Sequence, residues 1–371
     1  MKYLAVLGRQ PEISIAELEA TDFCTDINRL GGTQKLAVKL AEKPLKFLQK
    51  LPDGKITIGI SDYSKNASRK TSTSEALKLK KILVRHGRSV RVVENKDAIL
   101  STATSLHNGL NGKNNHKIEL IKVENEWYKV IGIQDIDAYA RRDQARPARD
   151  AKVGMLPPKL AQILINLCGP LNPEATILDP FCGTGVVLQE AILIGYRAYG
   201  TDISERMVEY SQKNLKWLLS EHCDQRGACR SEPRNDGREQ DREESNPFQI
   251  QVGDATSFRW QQPIDAVACE GYLGKPFSHI PSEMELKEQK QECGRIILGF
   301  LKNLALQIKS DIPVVIAAPA WLREDGTYKR LEILDEIDKL GYNVSNKSRK
   351  GLFYHREKQV VARDIIILRK K

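Results

Sequence analysis

The sequence has 371 residues, of which 41% are hydrophobic and 29% are charged. This composition is typical of a globular protein and excludes a disordered tail or a fibre. At about 150 residues per domain, the length predicts two or three domains. Since no apolar run reaches the roughly 18 residues of a membrane helix, and residues 1–8 are too short for a signal-peptide core of about 7 to 15 apolar residues, we expect a soluble, intracellular protein.

The seven cysteines and six histidines are scattered along the chain. The sequence contains no CxxC pair, no Cys and His combination at metal-ligand spacing and no HExxH arrangement. These patterns argue against a zinc ribbon, a metal hydrolase and a disulfide framework. We therefore predict no metal site, and thiols that are reduced and structural.

The positive charge is concentrated in one part of the chain. The formal net charge is +10, and residues 1–150 contain 27 Lys and Arg against 18 Asp and Glu, whereas the remaining residues contain 31 against 30. A basic segment of this kind is compatible with a polyanionic partner, although a solvated surface that promotes solubility is the commoner explanation. Charge alone leaves both interpretations open.

The first part of the chain alternates strand and helix patterns without an internal repeat. Residues 3–8 predict a strand, and a helix is predicted from Ser14, because Ser14 followed by Glu17 is typical of a capping box. After a Pro/Gly break at 52–54, Asn125 marks a hairpin turn in a predicted α+β module. Its predicted elements are strands at 56–60, 89–93, 118–123 and 127–133 and helices at 73–86 and 98–106.

From residue 157 onward, strand and helix patterns alternate in the way expected of a parallel sheet. The predicted helices are 159–167, 186–194, 206–219, 295–308 and 328–340, and the predicted strands are 176–178, 197–201, 248–252, 266–269, 314–317, 351–354 and 361–368. Residues 221–247 are almost free of aliphatic side chains and dense in both charge signs. They predict a disordered surface loop, with an RNA-contacting insertion as the less favoured alternative.

Acidic residues follow three successive predicted strands. Asp179 opens the segment DPFCGTG, which ends at Gly185 and leads into a helix; it lacks the third glycine of GxGxxG, which argues against a dinucleotide site. Asp202 ends the next strand, where a carboxylate can accept hydrogen bonds from ribose hydroxyls, and Asp254 follows the third. Each feature alone is also compatible with a turn or a helix cap. Together they predict one ligand site at the carboxyl edge of the sheet.

In this order, within a βαβαβ frame, the segments resemble the class I methyltransferases that use S-adenosylmethionine. The resemblance implies an α/β, Rossmann-like methyltransferase domain with S-adenosyl-L-methionine as its cofactor. It implies that DPFCGTG is the cofactor loop, that the second acid holds the ribose and that the third meets the adenine. The implied cofactor-binding residues in this sequence are Asp179, Pro180, Phe181, Gly183, Thr184, Gly185, Asp202, Ile203, Asp254 and Ala255.

The fourth strand of this frame ends in Glu270-Gly271-Tyr272. Amino-group methyltransferases usually carry Asp or Asn, Pro, Pro and Tyr or Phe here, so that polar acceptors orient the amine and the ring stacks on the base. Glu270 falls where the Asp belongs, and Tyr272 arrives one residue early. The resemblance implies Glu270 and Tyr272 as the catalytic residues. Because a Gly loop is less preorganised than Pro-Pro, a protein that retains the cofactor with little turnover stays an alternative.

Further motifs narrow the resemblance. The pairs Arg142-Asp143, Arg146-Pro147 and Arg149-Asp150, the run GxxPPKLA from Gly154, DPFCGTG, and the tail at 352–365 resemble the archaeal-type tRNA guanine-10 N2 methyltransferases. The resemblance covers nearly the whole chain apart from 221–247, and it makes Asp143 a further cofactor-site candidate. It implies a ferredoxin-like module at 1–52, a THUMP module at 53–137, a linker at 138–158 and the class I domain at 159–371 with a disordered insertion at 221–247.

These features together predict a cytoplasmic enzyme that methylates the exocyclic N2 amine of a guanine in tRNA. THUMP modules bind RNA, and the basic excess lies in the half that contains this module. We expect phosphate contacts from exposed basic side chains such as Lys65, Arg69, Lys70, Lys78, Lys81, Arg85 and Arg88. A DNA amino-methyltransferase, a cofactor-binding RNA adaptor without turnover, and a need for an accessory protein subunit stay open.

Overall fold

The computed structural model of the protein describes residues 1–150, 155–226, 246–357 and 359–371. The chain forms two compact units, the first from Met1–Ser14 and Cys24–Tyr139 and the second from Ile15–Phe23 and Ala140–Lys371. Gly154 of the predicted GxxPPKLA run and residues 227–245 of the predicted insertion lie outside the described ranges. None of the helices within those ranges has the length and hydrophobicity that a membrane span needs.

Six strands and five helices are described between residues 1 and 144, together with a 3-10 turn at Ile27–Arg29. The strands are β1 (Tyr3–Leu7), β2 (Thr33–Lys39), β3 (Ile56–Asp62), β4 (Val90–Val92), β5 (Lys117–Val123) and β6 (Glu126–Ile133). The helices are α1 (Pro11–Ala20), α2 (Pro44–Gln49), α3 (Arg69–Arg85), α4 (Thr102–His107) and α5 (Ile136–Gln144).

The strands of the first unit form a single sheet in the order β1-β2-β6-β5-β3-β4. Strand β2 pairs antiparallel with β6, so residues 1–52 and 53–137 contribute to the same sheet. Strands β4 and β5 both pair parallel to β3. The two predicted modules are therefore parts of one compact unit, and their boundary at 52 stays a prediction.

Helix α3 packs on one face of this sheet. Alternate residues of β3, Ile56, Ile58 and Ile60, are buried in a cluster with Leu79 and Leu83 of the helix, as the two-residue period of a strand requires. The predicted capping box at Ser14 is wrong. Helix α1 begins earlier, at Pro11, since proline is favoured in the first helical turn, and Ser14 lies inside it, donating its hydroxyl to the Gly32 carbonyl at 2.8 Å.

The second unit contains a larger sheet with helices along the chain between its strands. Its strands are β7 (Thr176–Asp179), β8 (Arg197–Asp202), β9 (Phe248–Val252), β10 (Ala266–Glu270), β11 (Pro313–Leu322), β12 (Tyr328–Arg330), β13 (Tyr342–Val344), β14 (Phe353–Tyr354) and β15 (Val361–Lys370). Its helices are α6 (Pro158–Asn166), α7 (Val186–Ile194), α8 (Glu205–Arg226), α9 (Glu283–Ala305), α10 (Leu334–Lys339) and α11 (Asn346–Lys350).

The strand order of this sheet is β13-β15-β11-β10-β7-β8-β9, with β12 and β14 attached to β11 and β15. Strands β7 to β11 are parallel to their neighbours, whereas β15 is antiparallel to β11. The chain runs outward from β7 through β8 to β9 and then returns to the other side of β7 at β10. The predicted α/β fold is confirmed. The reversal between β7 and β10 is a switch point, where doubly wound sheets bind ligands at the carboxyl ends of the strands.

Three predicted elements differ from the structure. The predicted helix 328–340 is wrong at its start, because Tyr328–Arg330 pairs antiparallel with β11 before α10 begins. Helix α9 begins at Glu283, well before the predicted residue 295, and a Ser282 capping box fixes its start. Helix α8 continues to Arg226, so 221–226 are helical rather than part of a disordered loop.

Candidate active site

A cavity of about 950 Å³ opens at the switch point of the large sheet. The described residues on its wall come from the ends of β7, β8 and β10, the segment after β9, helix α9 and the start of β15. The predicted site residues that line it are Asp179, Pro180, Phe181, Gly183, Thr184, Asp202, Ile203, Asp254, Ala255, Glu270 and Tyr272. The carboxyl-edge argument from the sequence therefore leads to a single cavity.

Two predicted residues do not line this cavity. Gly185 lies behind the loop, where its φ of +80° starts helix α7, and a Cβ there would lie 2.2 Å from the Ser211 Oγ. It therefore shapes the loop from beneath. Asp143 is absent from the cavity wall, and its Oδ1 accepts a hydrogen bond from Arg146 Nη2 at 3.4 Å. The predicted role of Asp143 at the cofactor is not supported by this placement.

The glycine loop after β7 is tied to the end of β8. Gly183 has a φ of +51°, and its N–H donates to Asp202 Oδ2 at 2.9 Å. Asp202 Oδ1 accepts the Ser204 N–H at the same distance. Because each carboxylate oxygen can accept two hydrogen bonds, Asp202 retains acceptor capacity for a ligand. Burial raises its pKa, while the two backbone N–H groups oppose that shift.

The end of β9 presents a second carboxylate. Asp254 is exposed at the cavity, and its Oδ1 accepts hydrogen bonds from the Thr256 N–H at 2.8 Å and hydroxyl at 2.7 Å. Within the described residues, Asp254 Oδ2 accepts no hydrogen bond. Nearby, Ile203 is 73% exposed, which is unusual for a large aliphatic side chain. The cavity therefore combines an exposed apolar surface with a carboxylate acceptor.

The deepest carboxylate of the cavity is Asp179 at the end of β7. It is 2% exposed, and its Oδ1 accepts the Phe181 N–H at 3.1 Å. Burial raises the pKa of Asp179 well above its usual range, and the charges of Asp202 and Glu270 raise it further. The hydrogen bond from the Phe181 N–H lowers this pKa and ties the backbone of the glycine loop to Asp179.

Glu270 ends β10 and is held by a residue that the sequence did not link to it. Arg363 of β15 donates its Nε hydrogen to Glu270 Oε1 at 2.5 Å, and both residues line the cavity. Burial raises the pKa of Glu270, and Arg363 lowers it. The tail motif that contains Arg363 was recognised in the sequence, but no spacing rule connects two residues 93 positions apart.

The loop after Glu270 is fixed by helix α9. The Tyr272 hydroxyl donates to Glu292 Oε1 at 3.2 Å, and the Lys275 N–H donates to Gln289 Oε1 at 2.7 Å. The Gly271 N–H donates to the Ala317 carbonyl at 3.0 Å. These hydrogen bonds supply order that the sequence, with glycine in place of two prolines, does not reveal. Glu292 and Gln289 were not predicted as part of the site.

No group of three or more His, Cys, Asp or Glu side chains in the described ranges is placed to hold a metal ion. The described cysteines, Cys24, Cys168, Cys182, Cys269 and Cys293, are free thiols. Burial raises the pKa of the Cys182 and Cys269 thiols well above their usual range. These two thiols are therefore poor nucleophiles, because the thiolate is the reactive form.

Part of the second unit is similar to a known family of proteins. Residues 146–228, which contain the glycine loop and Asp202, match the family model UPF0020, the RMKL-like methyltransferase domain. The matched residues all lie in the second unit, so this part of the chain is similar to a methyltransferase domain. The class I methyltransferase fold predicted from the order of its strand-end acids is thereby confirmed.

The chain also has curated relatives. It is 47% identical over 76 residues to the tRNA (guanine(10)-N2)-dimethyltransferase of Methanothermobacter thermautotrophicus, covering 20% of this chain and 22% of that protein. It is 47% identical over 62 residues to the Pyrococcus abyssi protein of the same name, covering 17% and 18%. The matches span about a fifth of these relatives' length. They confirm the resemblance to the archaeal-type tRNA guanine N2 methyltransferases.

Among solved structures, TrmN from Thermus thermophilus aligns with 91% of this chain and 84% of its own, at 16% identity and a TM-score of 0.46.

Proposed function

We propose that this protein transfers a methyl group from S-adenosyl-L-methionine to the exocyclic N2 amine of a guanine in tRNA. The observation that carries the proposal is the position of Glu270 and Tyr272 on the wall of the same cavity as the glycine loop and Asp202. An acceptor for an amine and an aromatic ring thus lie beside a nucleoside-type site. The names of the relatives, tRNA (guanine(10)-N2)-dimethyltransferases, support a tRNA guanine as the acceptor.

The cavity residues fit the cofactor. Gly183, with its positive φ, lets the loop backbone approach a ligand closely, and Asp202 retains lone pairs for ribose hydroxyls. The free Oδ2 of Asp254 suits the adenine amine, and the exposed Ile203 suits the adenine face. We assign cofactor binding to the predicted residues on the cavity wall, with Gly185 as support, and leave Asp143 out.

Glu270 and Tyr272 would act on the acceptor. When bound, S-adenosyl-L-methionine supplies a sulfonium methyl whose C–S bond breaks as the N2 lone pair forms the N–C bond, the electron pair staying on sulfur and the amine losing a proton. Glu270 accepts a hydrogen bond from the amine and directs its lone pair. Since burial raises the pKa of Glu270, its carboxylate is also a better proton acceptor. Tyr272 stacks on the base.

The first unit offers a basic surface for the RNA backbone. On and before α3, the exposed basic side chains are Lys65, Arg69, Lys70, Lys78, Lys81 and Arg85. Arg88 does not belong with them, because its guanidinium donates to the Leu51 and Pro52 carbonyls and to Asp53. A concavity of about 460 Å³ in this unit is also basic, with Lys55, Arg91, His116 and Lys117 on its wall. We propose that this unit binds tRNA through phosphate contacts.

The ordered loop at Glu270 and Tyr272 favours turnover over an RNA adaptor that only retains the cofactor. A DNA amino-methyltransferase would use the same loop chemistry, and the basic first unit together with the names of the relatives favours tRNA. The ferredoxin-like and THUMP assignments, the cytoplasmic location and an accessory subunit stay predictions.

The proposal is tested with the purified full chain and tritiated S-adenosyl-L-methionine. The substrates are unmodified tRNA, tRNA lacking its acceptor end, and duplex DNA, each digested afterwards so that the labelled nucleoside is identified. We expect N2-methylated guanosine from intact tRNA and no label in DNA. Label on adenine, or on DNA alone, would contradict the proposal.

A further inference from the structure

The contact between Glu270 of β10 and Arg363 of β15 crosses strand β11, which lies between them in the large sheet. Glu270 pairs with Ala317 of β11, and Arg363 of β15 pairs with Pro319 two residues further along β11. The Arg363 side chain thus passes over the β11 end to reach the carboxylate of the fourth strand. Arg363 is 3% exposed, and its Nε–H···Oε1 distance to Glu270, measured between heavy atoms, is 2.5 Å. Burying a guanidinium at the carboxyl end of β10 costs free energy unless its charge is paired with a carboxylate.

The ion pair occupies one oxygen of the carboxylate. In the described part of the chain, Arg363 is the cation hydrogen-bonded to Glu270, and it contacts Oε1 alone. Oε2 accepts no hydrogen bond from a described residue, and 17% of the Glu270 side chain is exposed. The pair therefore leaves one carboxylate oxygen for a ligand while the other is fixed.

The remaining charges near Glu270 are mostly negative. The other charged side chains of the cavity wall are Asp179 of β7, Asp202 of β8, Asp254 after β9, Lys275 of the loop, and Glu292 and Arg295 of α9. Burial favours the protonated form of Glu270. Its contact with Arg363 is what opposes protonation.

The charge of this carboxylate matters because the two purines differ beside their amines. In guanine the N2 amine lies next to N1–H, so both groups donate hydrogen bonds. In adenine the N6 amine lies next to an unprotonated N1, which only accepts. An ionised carboxylate only accepts hydrogen bonds, whereas a protonated carboxylic acid also donates one. The ionised form therefore matches guanine, and the protonated form matches adenine.

We propose that Arg363 is a positioning residue that keeps Glu270 ionised and fixed through Oε1, so that the site accepts guanine and rejects a purine whose N1 lacks hydrogen. This inference rests on the proposed function and deepens it, since it names the residue that sets the acceptor base. Arg363 acts through Glu270 and touches neither the methyl group nor the amine.

The first test measures kcat/KM against pH for the full chain and for Arg363→Gln, with tRNA as substrate. Loss of the guanidinium raises the pKa of Glu270 by about 1–3 units, the range for removing an adjacent opposite charge. Activity requires the ionised form, so the acidic limb of the profile moves to higher pH by that amount. Arg363→Lys restores the limb to its original position. A variant that loses activity equally at all pH values would show a merely structural role and overturn the proposal.

The second test does not depend on the folding of a variant. The guanine that the unaltered protein labels is replaced in a synthetic tRNA by 2-aminopurine, which keeps the amine but has an unprotonated N1. At pH 8 we expect kcat/KM for the 2-aminopurine tRNA to be at least tenfold lower than for the guanine tRNA. This difference between the two substrates becomes smaller as the pH falls and Glu270 gains a proton. Equal rates for the two bases at every pH would overturn the role of Arg363, whereas absence of guanine labelling in the unaltered tRNA would overturn the proposed function itself.

Discussion

The Tyr272 hydroxyl donates a hydrogen bond to Glu292 Oε1 of helix α9 at 3.2 Å. This contact ties the loop that follows β10 to a helix that begins at Glu283. The ring of Tyr272 is thereby held on the cavity wall, so its orientation does not depend on the two prolines that many amino-methyltransferases carry at this point.

The stacking role of Tyr272 predicts that its ring matters more than its hydroxyl. Tyr272→Ala removes a base-stacking interaction of about 1–3 kcal/mol, so we expect kcat/KM for tRNA to fall about 5- to 150-fold. Tyr272→Phe keeps the ring and loses only the hydrogen bond to Glu292, so we expect its kcat/KM to fall less than that of Tyr272→Ala. Steady-state kinetics with tRNA measure kcat/KM for both variants. If Tyr272→Phe loses as much kcat/KM as Tyr272→Ala, the stacking role is contradicted.

The cofactor site predicts a selective effect at Asp202. Asp202→Ala removes the acceptor for ribose hydroxyls and for the Gly183 N–H, and hydrogen bonds to a charged group contribute about 1.5–3 kcal/mol each. We therefore expect binding of S-adenosyl-L-homocysteine, followed by titration calorimetry, to weaken at least tenfold.

Asp265→Ala is the matched control for Asp202. Asp265 Oδ2 also accepts a backbone N–H, from Thr176 at 2.8 Å, but it lies before β10 at the opposite edge of the sheet. Its removal is expected to leave the affinity for S-adenosyl-L-homocysteine unchanged. Equal weakening by both variants would show that the effect at Asp202 is general destabilisation.

The residues on the cofactor side of the site were largely predictable from the sequence, whereas the partners that hold Glu270 and Tyr272 were not. Asp179, Asp202 and Asp254 follow consecutive parallel strands, whose carboxyl ends must share one edge of the sheet. Glu270 ends the fourth strand of the same frame, and the resemblance to amino-group methyltransferases implied its role. Its partner Arg363 lies on an antiparallel strand 93 residues later, and no local periodicity encodes a contact across β11.

The helix and strand segments that were not predicted contain polar residues at positions where the hydrophobic pattern would place apolar ones. Strand β2 was not predicted, because Gln34, Lys35 and Lys39 interrupt its hydrophobic pattern, yet Lys35 is 1% exposed. The first half of α9 is dense in charge and lies before the predicted helix 295–308, although Ser282 and Glu285 form a capping box there. In both cases tertiary contacts or a cap outweighed the hydrophobic pattern.

The buried ion pair of the first unit predicts a large loss of stability when one partner is removed. Lys35 Nζ donates to Glu119 Oε1 at 2.6 Å, to the Leu100 carbonyl at 2.8 Å and to Ser105 Oγ at 2.9 Å. Lys35→Met leaves the Glu119 carboxylate buried without its cation, at a cost of about 3–5 kcal/mol. Hydrogen–deuterium exchange of β2 and β5 in the full chain, which has two compact units, is expected to speed up accordingly.

The exposed ion pair Lys39–Glu126 provides the control for the buried pair Lys35–Glu119. Its side chains are 33% and 45% exposed, and surface pairs contribute at most about 1 kcal/mol. Lys39→Met is therefore expected to change exchange in the same strands only slightly. Similar acceleration in the two variants would contradict the special cost of the buried pair.

The basic face of α3 predicts a salt-dependent loss of tRNA affinity. Lys70, Lys78 and Lys81 are exposed, so replacing all three by Gln removes charge without disturbing the core. If each contacts a phosphate, the slope of log K against log salt becomes shallower by about 2–3, since each contact contributes about 0.7–0.9. A matched triple change of the exposed Lys213, Lys216 and Lys302 in the second unit alters the net charge equally and is expected to leave the slope nearly unchanged. Filter-binding titrations over a range of salt concentrations measure both, and an equal change in slope for the two triples would show that the protein attracts tRNA through its overall charge rather than through α3.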